Sequence, residues 1–148
     1  AFLSGYGDII SCYISSGRGV SGRSEIVCEI ENSITLNFSD SGFELDKYLH
    51  SLPFSYDHLR KLFRKETGIT PHQYLRDKRL RTAAAALAND CGKTSVDEIA
   101  RMCGFREGLY FSRMFRKKYG VPPGKYRKMM NDSSESRITS NTSKIILQ

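Results

Sequence analysis

The sequence lacks the features that mark several whole classes of protein. No apolar run approaches the roughly 20 residues that a membrane-spanning helix needs. The segment Ala1–Gly7 has no basic region of the kind that begins a secretory signal. The chain also has no initiating Met, which we interpret as the mark of a fragment or a processed product. Together these absences predict a cytoplasmic protein.

Cysteine is scarce, and its spacing points to no metal site. The chain has four cysteines, none in a C-x-x-C pair: Cys12, Cys28, Cys91 and Cys103. We expect reduced thiols, some of them core fillers, and we expect no cofactor or metal ion. The sequence also offers no Ser/His/Asp set, paired acidic site or glycine-rich phosphate loop, so we expect that the protein is not an enzyme.

The net charge of +7 is concentrated in two segments of the chain. Residues 57–81 carry eight basic and three acidic side chains, and residues 106–128 carry eight basic and one acidic. The segments around them are neutral or acidic. Localised basic segments are typical of proteins that bind a polyanion, whereas a uniformly basic surface often serves solubility alone.

An internal repeat relates the two basic segments. LFRKETGITPHQY (Leu62–Tyr74) and MFRKKYGVPPGKY (Met114–Tyr126) share six of 13 residues at an offset of 52. A short amphipathic stretch precedes each one, LDKYLHSL at 45–52 and VDEIARMC at 96–103. Each repeat therefore predicts a helix, a short turn and a second helix.

All predicted elements are helices with recognisable ends. They span Ser24–Phe38, Glu44–Ser51, 56–67, Pro71–Ala88, 96–103 and Arg106–Tyr119. The Ile and Val residues of the first segment also favour a strand, but their spacing is close to helical. Capping residues and glycine breakers set the limits of the others: Ser55, Thr70 with Gln73, Ser95 with Glu98, Gly68, Gly104 and Gly120.

These elements predict two subdomains between polar ends. Residues 1–22, rich in Gly and Ser, are interpreted as a linker or the remnant of a preceding domain. Residues 23–88 form the first helix-turn-helix subdomain with a linker helix, and residues 89–128 form the second. Residues 129–148 are predicted to be a flexible tail.

The second helix of each repeat has an apolar face and a basic face on a helical wheel. In the first repeat, one side groups Leu59, Leu62 and Phe63, and the other side groups Asp57, Lys61 and Arg64, with Arg60 and Lys65 on the flanks. In the second repeat, one side groups Phe111, Met114 and Phe115, and the other side groups Leu109, Ser112, Arg113, Arg116 and Lys117. One such basic face is usually only solvated, but two matched faces favour insertion into the DNA major groove.

Further roles follow from position along these helices. Residues near the helix C-termini are expected to contact phosphates: Arg64, Lys65, Arg116 and Lys117. Tyr56 and Tyr110 are candidates to bind phosphate from the helix starts. Tyr119 is undecided between core and surface, and seven other aromatic positions are expected in the core: Phe54, Phe63, Phe105, Phe111, Phe115, Tyr74 and Tyr126.

The runs LRKLFRKETGITPHQYLRDKRLRTAAAAL and IARMCGFREGLYFSRMFRKKYGVPPGKYRK resemble the C-terminal domain of AraC/XylS-type transcription regulators. The resemblance covers about Glu44–Lys128, and Ser24–Phe38 fits the family's first helix. It implies an all-α fold of two helix-turn-helix (homeodomain-like) subdomains joined by a long linker helix, here Pro71–Ala88. It also implies base-reading positions at Asp57, Arg60, Lys61, Gly108, Leu109, Ser112 and Arg113.

Two departures from the family pattern lie at the start of the second recognition helix. Arg106 stands where members commonly have a Ser-like N-cap, and Gly108 stands where a polar residue is common. Arg106 cannot cap as Ser does, and Gly108 cannot donate to a base. We therefore expect the second unit to begin raggedly and to depend on Leu109 and Arg113.

The resulting hypothesis is a sequence-specific DNA-binding domain of a bacterial transcription regulator. Its two recognition helices would enter successive major grooves of an asymmetric site in double-stranded DNA. The expected partners include RNA polymerase; the given chain is expected to be monomeric, and the full-length protein to dimerise through a further domain. The alternatives are a non-specific or architectural DNA-binding module, an enzyme, and a protein-interaction module using the first 40 residues or the Ile-rich C-terminal end.

Overall fold

The computed structural model describes residues 23–133, and every regular element in that range is a helix. The helices are α1 Glu25–Asn37, α2 Leu45–Ser51, α3 Tyr56–Thr67, α4 Pro71–Asn89, α5 Val96–Met102, α6 Gly108–Tyr119 and α7 at 123–133. Within the described range, none of them is both long enough and apolar enough to cross a membrane. The predicted linker at 1–22, with Cys12, and the part of the predicted tail from 134 onward lie outside the described residues.

The chain divides into two compact units, and the division falls within α4, between Asp77 and Lys78. The first unit contains α1, α2, α3 and the start of α4. The second contains the rest of α4, α5, α6 and α7, together with the short segment Ser39–Ser41. Each unit has its own core, so each can be understood as a separate packing problem.

The core of the first unit is built from one apolar face of each helix. Its buried side chains are Ile26, Val27, Ile30, Ile34, Leu45, Leu49, Leu59, Phe63 and Leu75. The spacing of the first four at i, i+1, i+4 and i+8 is helical and defines the inner face of α1. Tyr74 packs edge-on against Phe63, with 5.6 Å between ring centroids. The prediction that the Ile- and Val-containing segment at 24–38 is a helix is therefore confirmed by α1.

The core of the second unit is aromatic on one side and small on the other. Its buried side chains are Leu80, Ala83, Ala84, Leu87, Ile99, Ala100, Cys103, Phe105, Phe111 and Phe115. Ala83 and Ala84 of α4 are buried on the small side of this cluster. Rings then fill the centre: the Phe115 centroid lies 5.5 Å from that of Phe111 and 5.3 Å from that of Tyr126 on α7.

Several helix ends follow the predicted capping chemistry, although at Ser95 and Glu98 the structure shows only one bond of the predicted box, from the Glu98 N–H to Ser95 Oγ (3.1 Å). The Thr70 backbone N–H donates to Gln73 Oε1 (2.9 Å), and the Gln73 N–H donates back to Thr70 Oγ1 (3.3 Å), which is a complete capping box. Gly68 and Gly120 end α3 and α6 in the left-handed conformation, with φ of 84° and 78°. The repeat is therefore structural as well as sequential.

Three predictions need correction. The α6 helix begins at Gly108, two residues later than predicted, and its N-cap is Glu107. Phe54, expected in the core, is 36% exposed and stacks on His58 instead. The α7 helix continues to residue 133, so residues 129–133 of the predicted tail are helical.

Candidate nucleic-acid interface

The outer face of α3 is polar and basic because its apolar residues point inward. Leu59 and Phe63 are buried, and Leu62 is half-buried against the same core. The side chains predicted to face DNA are all exposed: Asp57, Arg60, Lys61 and Arg64. The predicted DNA-facing set thus places three cations and one carboxylate on this face, and Lys65, also exposed, adds a fourth cation to the helix. An α-helix has the right diameter to enter the major groove of DNA, and the basic outer face of α3 suits the negative charge of DNA.

The start of α3 is held by two sets of hydrogen bonds. Ser55 Oγ accepts from the backbone N–H of His58 at 3.4 Å, and this bond satisfies one of the free N–H groups of the first turn. The Tyr56 hydroxyl donates to Asp46 Oδ1 at 3.0 Å, and the Tyr56 ring stacks on His50 with centroids 5.0 Å apart. Ser55 and Tyr56 therefore fix the entry of α3.

Asp46 is the centre of this second set. It also accepts from Nε2 of His72, at 2.7 Å, at the start of α4. The bond to His72, and then the bond to Tyr56, lower the pKa of Asp46, while burial and the Asp46 contact raise the pKa of Tyr56. A hydroxyl has one hydrogen to donate, so Tyr56 would have to give up Asp46 to bind a phosphate.

The outer face of α6 is also basic, but its first turn begins with Gly108 and Leu109, which carry no charge. Phe111 and Phe115 are fully buried, and Met114 is half-buried. On the other side Arg113, Arg116 and Lys117 are exposed, Ser112 is half-buried, and Leu109 is 79% exposed. An apolar side chain exposed at this position is able to contact a thymine methyl group.

The first turn of α6 is organised differently from that of α3. Glu107 occupies the N-cap with extended backbone, but its side chain makes no capping hydrogen bond. The 52-residue repeat places it opposite Ser55, so the cap position lies at Glu107 and the expected role of Arg106 was assigned one residue too early. Arg106 instead donates from Nε to the carbonyl of Ser41 at 2.8 Å. Tyr110 is exposed, with its ring tilted against Phe105.

Gly108 lies against a residue that the sequence did not single out. A Cβ atom at this position would collide with Oδ1 of Asp97, in the first turn of α5. The same region is a shallow depression of about 420 Å³, lined by Asp97, Arg101, Arg106, Gly108, Leu109 and Ser112. Asp97 lies at the start of the first helix of the second helix-turn-helix. That position in the sequence could have indicated that Asp97 lies close to the start of α6.

The predicted DNA-facing residues thus form two groups, one on each recognition-type helix. The group on α3 is Ser55, Tyr56, Asp57, Arg60, Lys61 and Arg64. The group on α6 is Gly108, Leu109, Tyr110, Ser112, Arg113, Arg116 and Lys117. Each group lies on the outer side of its own unit, with the exceptions of Tyr56, Gly108 and Ser112, which are half-buried.

Comparison with known proteins identifies this arrangement. A family model described as "Helix-turn-helix domain" matches residues 48–129, which is more than half of the chain. The chain belongs to the AraC/XylS family of transcription regulators. It is 35% identical over 97 residues to the "HTH-type transcriptional activator RhaR" of Salmonella dublin, covering 66% of this chain and 34% of RhaR. The chain therefore spans about a third of the length of the RhaR relatives that it matches.

Solved structures of AraC/XylS-type domains have the same fold. The C-terminal domain of AraT, a response regulator from Geobacillus stearothermophilus, superimposes with a TM-score of 0.66 and 31% identity, covering 72% of this chain and 86% of that one. The DNA-binding domain of AdpA, solved in complex with a target DNA, gives a TM-score of 0.67 and 26% identity, covering 74% and 96%. The all-α fold with AraC-type helix-turn-helix units is confirmed.

The family assignment also fixes the broad function. This part of the chain is a helix-turn-helix DNA-binding domain of a transcription regulator. The prediction that it is not an enzyme is confirmed by the relatives, which are transcription regulators.

Proposed function

We propose that the chain recognises one asymmetric DNA sequence by placing α3 and α6 in successive major grooves. Two recognition helices on one polypeptide differ in sequence, so the site they select has no two-fold symmetry. The geometry of B-DNA then requires the two helices to be about 34 Å apart, one helical turn. One chain thus supplies two different recognition helices, whereas a symmetric dimer supplies two identical ones.

The observation that supports this proposal is the matched construction of the two helices. Each buries a pair of phenylalanines or a leucine and a phenylalanine, and each presents basic side chains outward. The AdpA domain, which has this fold, was solved with a target DNA. Within the proposal, Asp57, Arg60 and Lys61 read bases from α3, and Leu109, Ser112 and Arg113 read them from α6.

The remaining members of the two groups have positioning roles in the proposal. Arg64, Arg116 and Lys117, near the helix C-termini, contact phosphates, which set register and affinity without carrying sequence information. Tyr110 is available for a phosphate at the start of α6. Ser55 and Tyr56 act by fixing the start of α3, because their polar groups already bind His58 and Asp46. Gly108 has no side chain, and in the proposal this allows the α6 backbone to approach the DNA closely.

The test is a binding titration against a site selected from a random DNA library, with random DNA as competitor at fixed salt. Lys61→Ala and Arg113→Ala should each weaken binding to the selected site by about 1–3 kcal/mol and relax selection at one or two base pairs. Lys47→Ala and Lys125→Ala are matched controls, because both lysines are exposed and lie on α2 and α7. They remove the same charge without touching either recognition helix.

The outcomes separate specific from non-specific binding. Specific recognition predicts that the selected site binds at least about 10³-fold more tightly than random DNA. A non-specific or architectural module predicts nearly equal affinity for both, with all four variants weakening binding alike. That second result would overturn the proposal.

The setting of this domain in the whole protein is also a proposal. We infer that it acts in the bacterial cytoplasm, as one DNA-binding part of a longer regulator whose other segments sense a signal. In the same scheme the isolated chain is monomeric, the whole protein dimerises through another domain, and the DNA-bound form contacts RNA polymerase. Light scattering measures the molar mass of the isolated chain and so tests directly whether it is monomeric.

A further inference from the structure

Asp97 lies where a base-reading side chain at position 108 would begin. It belongs to the first turn of α5, and its Oδ1 fills the space that a Cβ atom on Gly108 would need. Gly108 is the first residue of α6, and a helix in the major groove reads bases mainly with its N-terminal residues. The carboxylate of Asp97 is therefore at the end of α6 that approaches base edges.

The surroundings of this carboxylate supply no partner for it. Within residues 23–133, the Asp97 side chain takes part in no hydrogen bond or salt bridge, and the residue is exposed. The two nearby arginines are used elsewhere: Arg101 Nε donates to the backbone carbonyl of Asp97 (3.3 Å), and Arg106 Nε donates to the carbonyl of Ser41 (2.8 Å). The Asp97 carboxylate is thus exposed beside two arginines, with no ion-pair partner among the described residues.

Charge restricts what such a group can contact on DNA. A carboxylate only accepts hydrogen bonds, and phosphates, O6 and O4 of the bases offer none. The donors in the major groove are the amino groups of cytosine N4 and adenine N6. Aspartate pairs with cytosine N4, whereas adenine is better matched by the bidentate amide of asparagine. Leu109 and Ser112 line the same depression, so a base edge there would meet all three side chains.

We propose that Asp97 is a specificity-determining residue that reads a cytosine amino group from α5, in place of the side chain that Gly108 lacks. The inference rests on the proposed function and deepens it. In this arrangement the second unit reads DNA with two helices: Leu109, Ser112 and Arg113 act from α6, and Asp97 acts from α5. Asp97 on the neighbouring helix α5 then supplies the base contact that Gly108 cannot make.

The test is selection of bound sequences from a random DNA library with four forms of the chain: native, Asp97→Asn, Asp97→Ala and Glu98→Gln. Glu98 is the matched control, since it is the adjacent exposed acid on α5 and its cap contact to Ser95 Oγ is made by its backbone N–H. Removing either negative charge should raise affinity for all DNA to a similar extent, because both changes reduce repulsion of the phosphates equally. Only Asp97 should change base preference, and thermal unfolding of each variant verifies that it is folded.

The native chain and Glu98→Gln should select cytosine at one base pair within the part of the site covered by the second unit. Asp97→Asn should move that preference to adenine, and Asp97→Ala should reduce the preference roughly fivefold or more. Unchanged cytosine selection by both Asp97 variants, or no cytosine selection by the native chain in an otherwise specific site, would overturn this inference alone. Failure of the native chain to select any site would instead overturn the proposed function.

Discussion

Replacement of Glu107 by Asp should stabilise the second recognition helix without changing the charge of the protein. Glu107 has the extended backbone of an N-cap (φ −122°, ψ 122°), but its side chain makes no cap hydrogen bond. Aspartate is among the preferred N-cap residues because its shorter side chain reaches the N–H groups two or three residues on. At Glu107 the N–H that it should reach is that of Tyr110.

The magnitude follows from the two halves of the repeat. A side-chain cap is worth about 0.5–2 kcal/mol, and the equivalent cap at Ser55 has a long donor–acceptor distance of 3.4 Å, which argues for the lower half of that range. The negative charge near the helix N-terminus is kept, so the dipole contribution does not change. We expect a gain of about 1 kcal/mol, or a rise in Tm of roughly 3–5 °C for a domain somewhat larger than 100 residues.

The assay combines thermal unfolding with amide hydrogen exchange. Glu107→Asp should raise Tm and slow exchange at the amides of Leu109 and Tyr110, while exchange in α1 and α2 stays the same. Ser55→Ala, the reverse change at the matching position, should lower stability by a similar amount and act on α3. The reasoning is refuted if Tm and the Tyr110 amide are unaffected by Glu107→Asp while Ser55→Ala behaves as expected.

Three further changes test other parts of the structure. Cys91 is the non-glycine residue with positive φ (52°) among residues 23–133, so Cys91→Gly should raise the free energy of unfolding by about 0.5–1 kcal/mol in chemical denaturation, and a loss would contradict this. Burial raises the pKa of Glu29, so its charge destabilises the fold above that carboxyl's usual pKa, and Glu29→Gln should raise Tm at pH 7 but not at pH 4. The bond from His72 lowers the pKa of Asp46; its contribution is present at neutral pH and lost as pH falls through and below 3.8, so Asp46→Asn should flatten the acid side of a stability–pH curve.

The helices and cores were predictable from sequence because they depend on local patterns. Apolar spacing in α3 and α6 placed Phe63 and Phe115 inward, and the glycines after each helix marked its end. The repeat then added what one helix alone cannot give, since two matched basic faces indicate DNA where one indicates only solvent. These inferences need no knowledge of which segments meet in space.

The details at the start of α6 depend on contacts that sequence does not contain. The Arg106 side chain donates to the carbonyl of Ser41, and the N-cap of α6 is Glu107. Asp97 approaches Gly108 from a different helix, and Asp46 takes the Tyr56 hydroxyl. Each of these contacts joins residues 10 or more positions apart in sequence, and each changes which side chain is available to DNA.

The most direct test of the central claim is a hydroxyl-radical and methylation-protection footprint of the chain on its selected site. Two unequal readers on one polypeptide predict two protected major-groove segments of different sequence, with centres about one helical turn (~34 Å) apart. Lys61→Ala should weaken protection in one segment, and Arg113→Ala should weaken it in the other. Protection of a single groove, or equal loss from both segments with either variant, would contradict the account.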